Sequence, residues 1–345
     1  MSTVAEVLRK ADEKLERAIS TTDIQGQSIT AQNKIAVRQD LQEAIVNIAD
    51  RMTPLRDRIG REKGVGNAFT FNMVKSLYKS NTDPRDAVYA DGTLPDSRET
   101  QYAMRTQAYV AIGYESGVTG LAEAQGEDIV SLYAEEIENT TKAVIQTEEW
   151  LNFWGNSSVQ NGNSAYPYDG LNTLITTNVI DANGSALTKA LIDEACNLIG
   201  QKGGRATAIY TSFRVADSIN NLYNTSSQVI INGEGRDSLT LGNYVTKVRT
   251  SVGVLDVVPD FFINPGNDYP QSDGTTFSTP SGAPVSTVFI LAEPYIKMKD
   301  LKSIGLQEEG ISSDTKKFFV NEYTALKLTA EPWCAKIVNV KDTIA

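Results

Sequence analysis

Histidine is absent from this chain of 345 residues, and cysteine occurs only twice. Without histidine the chain lacks the side chain most used for acid–base catalysis near neutral pH, which is also the commonest metal ligand. Cys196 and Cys334 are too far apart for a CxxC pair and too few for a zinc site built from thiolates. We therefore expect two small buried cysteines, no metal, no cofactor and no enzymatic activity.

Long apolar runs and a surplus of positive charge are missing as well. The longest strongly apolar run is the five residues from Val288 to Ala292, whereas a helix that crosses a bilayer needs about 20. Arg9 and Lys10 lead into no apolar signal segment. The net charge of -11 disfavours wrapping of nucleic acid around the protein, because DNA phosphates are also negative. Any DNA contact must therefore be local. These absences predict a soluble cytosolic product that makes no membrane contact.

The glycine-rich and acidic motifs do not combine into a reaction site. Gly200 to Arg205 and Gly60 to Gly66 lack the spacing and the strand-to-helix context of a phosphate loop. Adjacent glutamates on a helix point in different directions, so they form no facing acid–base pair. We interpret five glutamates of one predicted helix as a solvated or subunit-facing edge: Glu135, Glu136, Glu138, Glu148 and Glu149.

Hydrophobic periodicity divides the first part of the chain into helices and strands. Apolar residues recur at helical spacing from Val4 to Leu15 and again from Leu41 to Ile48. Apolar and polar residues alternate within residues 64–125, which predicts an exposed excursion of strands. This excursion has too little apolar material for a core of its own, so we expect it to lie on a neighbour.

The longest helical pattern begins at Glu127 and reaches Trp154, and Gly155 is its predicted C-terminal cap. Trp150 and Trp154 share one stripe of this helix. Glutamates, and not basic residues, accompany them, which disfavours a platform for stacking nucleic-acid bases. We interpret both tryptophans as core or subunit-contact residues.

Helix and strand alternate in the second half of the chain. Helices are predicted from Leu187 to Ile199 and from Phe213 to Tyr223, and residues 264–284 form an exposed connection. Strands are predicted at Thr207 to Tyr210, Val229 to Ile231, Val245 to Thr250, Val254 to Val258, Val288 to Leu291, Phe318 to Val320, Tyr323 to Ala330 and Ala335 to Val340.

One short segment is locally basic. Between Arg51 and Lys63 there are five basic residues, opposed only by Asp57 and Glu62. The favoured interpretation is a solvated helix end followed by a turn. The alternative is a local contact with another subunit or with nucleic acid.

Two passages resemble the major capsid proteins of tailed bacteriophages, whose fold is shared with bacterial encapsulins. Glu148-Glu149-Trp150-Leu151-Asn152-Phe153-Trp154-Gly155, followed by Tyr168-Asp169-Gly170-Leu171, is similar to the family's aromatic-aromatic-Gly, spacer, aromatic-x-Gly-Leu passage. The ending from Tyr323 to Trp333 resembles the family's closing strands. The resemblance covers nearly the whole chain in order.

The resemblance implies an α+β, tailed-phage major capsid fold. Its parts would be an N-terminal arm at 1–62, an E-loop at 63–116, a P-domain at 117–205 with a spine helix at 127–154, an A-domain at 206–311, and C-terminal strands at 312–345 that return to the P-domain. We expect no removal of an N-terminal domain during maturation.

The resemblance also implies a function. The chain would be a structural shell protein that self-assembles as hexamers and pentamers into an icosahedral head enclosing double-stranded DNA, with the E-loop lying over a neighbouring subunit. Portal, scaffolding and decoration proteins would be further partners, DNA contact would be weak and non-specific, and assembly would take place in the host bacterial cytoplasm before the protein becomes part of the virion. The alternative is an encapsulin-type compartment that stores cargo.

The candidate residues follow from this function. Arg56, Arg58 and Arg61 are predicted to contact another subunit or to face the genome, and Lys75 and Lys79 of the E-loop are candidates for subunit contact, without covalent crosslinking. Because histidine is absent, we expect little change of charge between about pH 6 and 9 unless burial raises the pKa of a carboxyl group.

Overall fold

In the computed structural model of the chain, the described residues are 50–77, 84–94, 99–126, 131–226, 245–264, 284–309 and 314–342. Several predicted features lie outside them: the helical patterns from Val4 to Leu15 and from Leu41 to Ile48, Lys79, the strand from Val229 to Ile231, and most of the connection at 264–284.

The described elements alternate between helices and strands. The α-helices are α1 Pro54–Arg58, α2 Gly120–Gly126, α3 Leu132–Trp154, α4 Leu171–Leu174, α5 Lys189–Gln201 and α6 Phe213–Ser226. The strands are β1 Gly60–Lys63, β2 Ala68–Ser76, β3 Gln101–Ala108, β4 Val110–Thr119, β5 Val179–Asp181, β6 Ala208–Thr211, β7 Lys247–Thr250, β8 Gly253–Pro259, β9 Val285–Leu291, β10 Ile296–Glu308, β11 Thr315–Leu328 and β12 Ala335–Lys341.

The long helix α3 has 23 residues and ends as predicted. The N–H of Gly155, its C-cap, donates to the carbonyl oxygen of Leu151 at 2.8 Å. The predicted start at Glu127 lies outside the described residues, and the described helix begins at Leu132, because its N-cap Ser131 has an extended backbone. An extended residue at this position interrupts the helical hydrogen-bond pattern.

A four-stranded sheet with the order β1-β10-β11-β4 packs against α3. β1 runs parallel to β10, whereas β11 is antiparallel to both β10 and β4. The two strands predicted at Phe318 to Val320 and Tyr323 to Ala330 are one strand, β11. The polar residues between them, Asn321 and Glu322, interrupt the apolar pattern, and the sequence therefore predicted two strands where the structure has one.

β2 and β3 form an antiparallel hairpin, in agreement with the predicted strand excursion. Phe69 on one face is buried and its ring lies 5.5 Å from that of Tyr109. The opposite face exposes apolar side chains, among them the cross-strand pair Val74 and Tyr102. The hairpin therefore covers its own subunit with one face only.

A six-stranded sheet with the order β5-β12-β9-β6-β8-β7 lies between two apolar cores. Every residue of β9 is buried, and alternate residues face opposite cores. Phe289 packs in the core with the end of α3, whereas Val288 and Ile290 pack in the core with α5 and α6. Burial on both faces explains the apolar run from Val288 to Ala292.

The two sheets join strands from different predicted domain ranges. β10 lies within residues assigned to the A-domain, yet it belongs to the four-stranded sheet with β1 and β4. β12 pairs with β5, which lies within the residues predicted as the P-domain, and with β9 in the six-stranded sheet. Strand pairing connects segments that are distant in the chain, so one sheet combines several of the predicted ranges, and the domain boundaries stay predictions.

Candidate functional site

The glutamates at the end of α3 are buried, not solvated. Glu148 and Glu149 have no exposed surface, so the predicted solvated or subunit-facing edge is wrong at these positions. Glu148 forms ion pairs with the guanidinium groups of Arg56 and Arg61, whose Nη2 lies 2.6 Å from Oε2 of Glu148. Buried carboxylates need such partners because an isolated ion loses its hydration.

Glu149 holds the first turn of α1. Its Oε1 accepts the backbone N–H of Leu55 at 2.7 Å, and its Oε2 accepts that of Arg56 at 2.9 Å. These N–H groups have no acceptor within a helix of their own, so the carboxyl group acts as a cap supplied by a distant segment. Burial, together with the neighbouring carboxyl of Asp260, raises the pKa of Glu149 well above its ordinary value.

Arg61 on β1 joins α3 to the four-stranded sheet. Besides Glu148, its guanidinium binds the carboxylate of Asp300 on β10 at 2.9 Å. The Thr324 hydroxyl on β11 donates to the other oxygen of Asp300 at 2.8 Å. Arg61 therefore ties three elements together at one buried point.

Glu322 on β11 is the exception in this cluster. Its side chain is buried, and neither carboxyl oxygen has a hydrogen-bond partner among the described residues. The cation that approaches it is Arg61, at 4.0 Å. Burial and the nearby carboxyl of Glu148 raise the pKa of Glu322 to about 8. Glu322 is therefore a case of the exception allowed for a buried carboxyl group in the expectation that charge changes little between about pH 6 and 9.

Arg58 connects α1 to the six-stranded sheet. It binds Glu293 at 2.5 Å and Asp256 at 2.9 Å, and Glu293 also accepts the hydroxyl of Tyr210 at 2.6 Å. These carboxylates raise the pKa of Arg58 above its ordinary value, although burial opposes the shift. The arginine remains about one-third exposed, unlike the carboxylates of the Glu148 cluster.

The three arginines thus bind carboxylates of their own subunit. The predicted solvated helix end is wrong for Arg56 and Arg61, because both guanidinium groups bind the buried carboxylate of Glu148 on α3. Their predicted contact with another subunit or with the genome stays a prediction. The signal missed in the sequence was the match between the closely spaced arginines at 56, 58 and 61 and the adjacent pair Glu148 and Glu149.

Lys75 is exposed on β2. Near it, on the outward face of the hairpin, the side chains of Val74, Tyr102 and Met104 are 53%, 70% and 70% exposed. An apolar face of this kind on two strands is typical of a surface that another molecule covers.

Trp154 and Gly155 close the end of α3, as predicted for core residues. The Trp154 indole N–H donates to the carbonyl oxygen of Phe262 at 2.8 Å, and its ring lies edge-on to Phe289. Trp150 is partly buried against the same core. The N–H of Gly170 donates to the Gly155 carbonyl at 2.9 Å, and a β-carbon on Gly155 would overlap the Tyr168 carbonyl.

The cysteines are buried and unpaired, as predicted, and burial raises the pKa of both thiols. In the part of the chain that the structure describes, no group of acidic or cysteine side chains could hold a metal ion. No described helix is long and apolar enough to cross a membrane.

Comparison with known proteins identifies the family. The family model described as SU10 major capsid protein matches residues 19–341. This chain belongs to the SU10 major capsid protein family. The resemblance to tailed-phage major capsid proteins is thereby confirmed.

Among curated proteins, the major capsid protein of Staphylococcus phage K is 31% identical over 137 residues, which are 37% of this chain and 29% of that protein. The curated relatives are thus matched over little more than a quarter of their length. The sequence identity within the matched stretch supports the family. Most of the length of these relatives lies outside that stretch.

Solved structures share the fold of this SU10-family chain. A chain from Mycobacterium phage Ogopogo superposes with a TM-score of 0.59 at 10% identity, covering 90% of this chain and 99% of that one. The SrpI encapsulin of Synechococcus elongatus PCC 7942 superposes with a TM-score of 0.58 at 9% identity, covering 90% and 98%. The predicted α+β capsid fold is confirmed.

Proposed function

We propose that this protein is the structural subunit of the icosahedral head of a tailed bacteriophage. The proposal is carried by the hairpin β2–β3, which buries one face on its own subunit and exposes Val74, Tyr102 and Met104 on the other. The family match over residues 19–341 supports a shell protein as the context in which that face is covered.

In this proposal, subunits form hexamers and pentamers, and the hairpin lies over a neighbouring subunit. Residues 1–62 act as the arm, 63–116 as the E-loop, and α3 as the spine helix. A two-stranded hairpin gains stability when it packs on a further surface, and many weak contacts repeated by symmetry stabilise a closed shell. Lys75 beside the apolar face is the candidate for polar contact at this interface.

The interior of the head would hold double-stranded DNA through weak, non-specific contacts. The net charge of -11 supports this, because an acidic wall does not retain phosphates strongly. Arg58 is the best candidate for a genome or subunit contact among the three arginines, since it is the most exposed of them. Portal, scaffolding and decoration proteins would complete the head, which is assembled in the host cytoplasm without catalysis by this chain.

An encapsulin-type compartment that stores cargo is the second candidate. The superposition with the SrpI encapsulin favours it as strongly as the fold alone can. The family match favours the phage head instead. Particles purified from the natural source would distinguish the two, because a head yields nuclease-protected DNA and a compartment yields a protein cargo.

The experiment that tests assembly is electron microscopy with sedimentation of the purified chain. We expect closed shells or capsomer rings. The double variant Tyr102→Glu, Met104→Glu should remain folded by circular dichroism but should fail to assemble, because charges at these positions cannot be buried in an interface. Gln160→Glu, at an exposed loop residue, is the matched control and should assemble.

If the double variant assembled with the same yield as the control, the exposed face of the hairpin would not be a subunit interface. A monodisperse monomer of the unaltered chain, unchanged by addition of scaffolding protein, would contradict the proposed function itself.

A further inference from the structure

Where the segment formed by α1 and β1 contacts the rest of the subunit, buried carboxyl groups outnumber the guanidinium groups that pair with them. Two guanidinium groups, from Arg56 and Arg61, meet a cluster of buried carboxyl groups. The carboxyl groups belong to Glu148, Glu149, Asp260, Asp300 and Glu322, and each of these residues is at most 8% exposed. Two cations cannot balance five anions at low dielectric, so the cluster must retain protons.

Glu322 is the group whose geometry suits a bound proton. Four of the cluster's carboxyl groups accept hydrogen bonds from described residues, whereas both oxygens of Glu322 lack a partner there. An ionised carboxylate without hydrogen bonds is strongly disfavoured in a buried site. The neutral acid is the form that the surroundings accept.

The charged and titratable groups that face Glu322 come from five segments. They are Glu148 of α3, Arg56 of α1, Arg61 of β1, Asp300 of β10, and Tyr168 in the connection before α4. The partner of Glu322 on the neighbouring strand β4 is the apolar Ile112. The two arginines favour the ionised form of Glu322, whereas burial and the two carboxylates oppose it. Nη1 of Arg61 is bound to Asp300 at 2.9 Å and lies 4.0 Å from Glu322, so Glu322 is not its first partner.

We propose that Glu322 is a proton-binding site that controls how tightly α1 and β1 are held on α3 and on the four-stranded sheet. With a proton on Glu322, Arg61 binds Glu148 and Asp300 without a third competing charge. When Glu322 ionises, it repels both carboxylates and requires hydration. Opening of the α1–β1 segment supplies that water.

This site would act on the hairpin as well. β1 ends at Lys63, and the N–H of Gly64 donates to the Asp300 carbonyl oxygen at 2.8 Å, shortly before Phe69 of the hairpin. Loosening of β1 therefore changes the anchorage of the hairpin on its own subunit. The inference concerns the folded subunit and does not depend on the proposed assembly.

The direction of the pH effect follows from proton linkage. The closed state binds a proton that the open, hydrated state releases above the ordinary pKa of glutamate. Opening therefore becomes more favourable as pH rises, by up to about tenfold per pH unit for a single proton, and the effect levels off above pH 8. The segment should be held most tightly in mild acid.

Hydrogen exchange read by mass spectrometry tests the proposal on the full chain. Protection of peptides covering residues 54–63, corrected for the intrinsic exchange rate, should fall between pH 6 and 8 in the unaltered protein. In Glu322→Gln the fall should be clearly smaller, and what remains of it would come from Glu149 and Asp260, whose pKa values are also raised by burial. Glu138→Gln, at an exposed residue of α3, is the control and should keep the fall. Constant protection in the unaltered protein, or an unchanged fall in Glu322→Gln, would overturn the proposal.

A second measurement covers the case in which Glu322→Gln does not fold. Infrared spectra of the unaltered chain labelled with 13C-glutamate should show a protonated carboxyl band at pH 6 that loses intensity by pH 9. A band that is absent at pH 6, or one that does not change up to pH 9, would overturn the proposal without any substitution.

Discussion

Arg61 donates to both carboxyl oxygens of Glu148, a residue 87 positions further along the chain. The contact joins β1 to the end of α3, where Glu148 has no exposed surface. Because the Glu148 carboxylate has no contact with water, its negative charge is stabilised by this arginine and by Arg56. β1 directly precedes the β2–β3 hairpin in the chain, so ionic contacts as well as apolar packing hold the start of the hairpin on its own subunit.

Replacing Glu148 should destabilise the subunit strongly. In Glu148→Ala, Arg56 and Arg61 lose their shared carboxylate, and the free energy of unfolding should fall by about 3 kcal/mol or more. Urea denaturation followed by tryptophan fluorescence measures the change. Glu138→Gln, in an exposed pair with Lys142, should change the denaturation midpoint very little. Equal denaturation midpoints for the two variants would contradict this role of Glu148.

Gly155 should not tolerate any side chain. A β-carbon there would overlap the Tyr168 carbonyl oxygen and displace the loop that follows α3. Gly155→Ala should therefore reduce the yield of folded protein or lower the melting temperature by several degrees, measured by differential scanning fluorimetry. Gly162→Ala is the control, because a β-carbon at that residue would have nothing within 4 Å and its effect should be small. A melting temperature of Gly155→Ala equal to that of the control would argue against the close approach.

Glu331 should be sensitive to the loss of its acceptor oxygens. Its carboxylate accepts the N–H groups of Thr176 and Thr177 at 2.9 and 2.7 Å, and the Thr177 hydroxyl at 2.7 Å. Glu331→Ala leaves these donors without an acceptor and should lower the free energy of unfolding by about 2 kcal/mol or more. Glu331→Gln keeps one oxygen in place and should lose less. The opposite order in urea denaturation would be inconsistent with this role.

Glu62 should contribute to stability against acid. Hydrogen bonds from Lys297, Lys299 and Lys327 lower the pKa of Glu62 to about 2. A lowered pKa means that the contribution is complete above the ordinary pKa near 4.5 and is lost as pH falls towards 2. Glu62→Gln should therefore make unfolding less dependent on pH between about 5 and 2, as measured by circular dichroism.

The control for Glu62 is Glu194→Gln, at an exposed residue of α5. It should unfold in acid along the same curve as the unaltered protein. A Glu62→Gln curve that coincides with both would show that the three lysines do not stabilise the folded state through this carboxylate.

Local patterns were sufficient for several elements. The cap at Gly155 follows from a helical pattern that stops at a glycine, and the hairpin follows from alternation between turn-rich segments. The strand predicted from Val288 to Leu291 lies within β9. β10 was missed although Ile296, Lys297, Met298 and Lys299 alternate apolar with basic residues, which is the pattern of a half-buried strand.

Local periodicity was enough to predict the end of the long helix and the exposed strand excursion, whereas the capsid fold was predicted by the resemblance of two passages to tailed-phage capsid proteins. Which charged residues are buried, and which partners they bind, is visible only in the tertiary structure. Glu148, Glu149 and Glu322 have the polarity of surface residues, yet all three are buried, and Glu148 and Glu149 are bound by residues of α1 and β1 that are far away in the chain. Burial and ion pairing depend on which distant segments meet, and no local pattern records that.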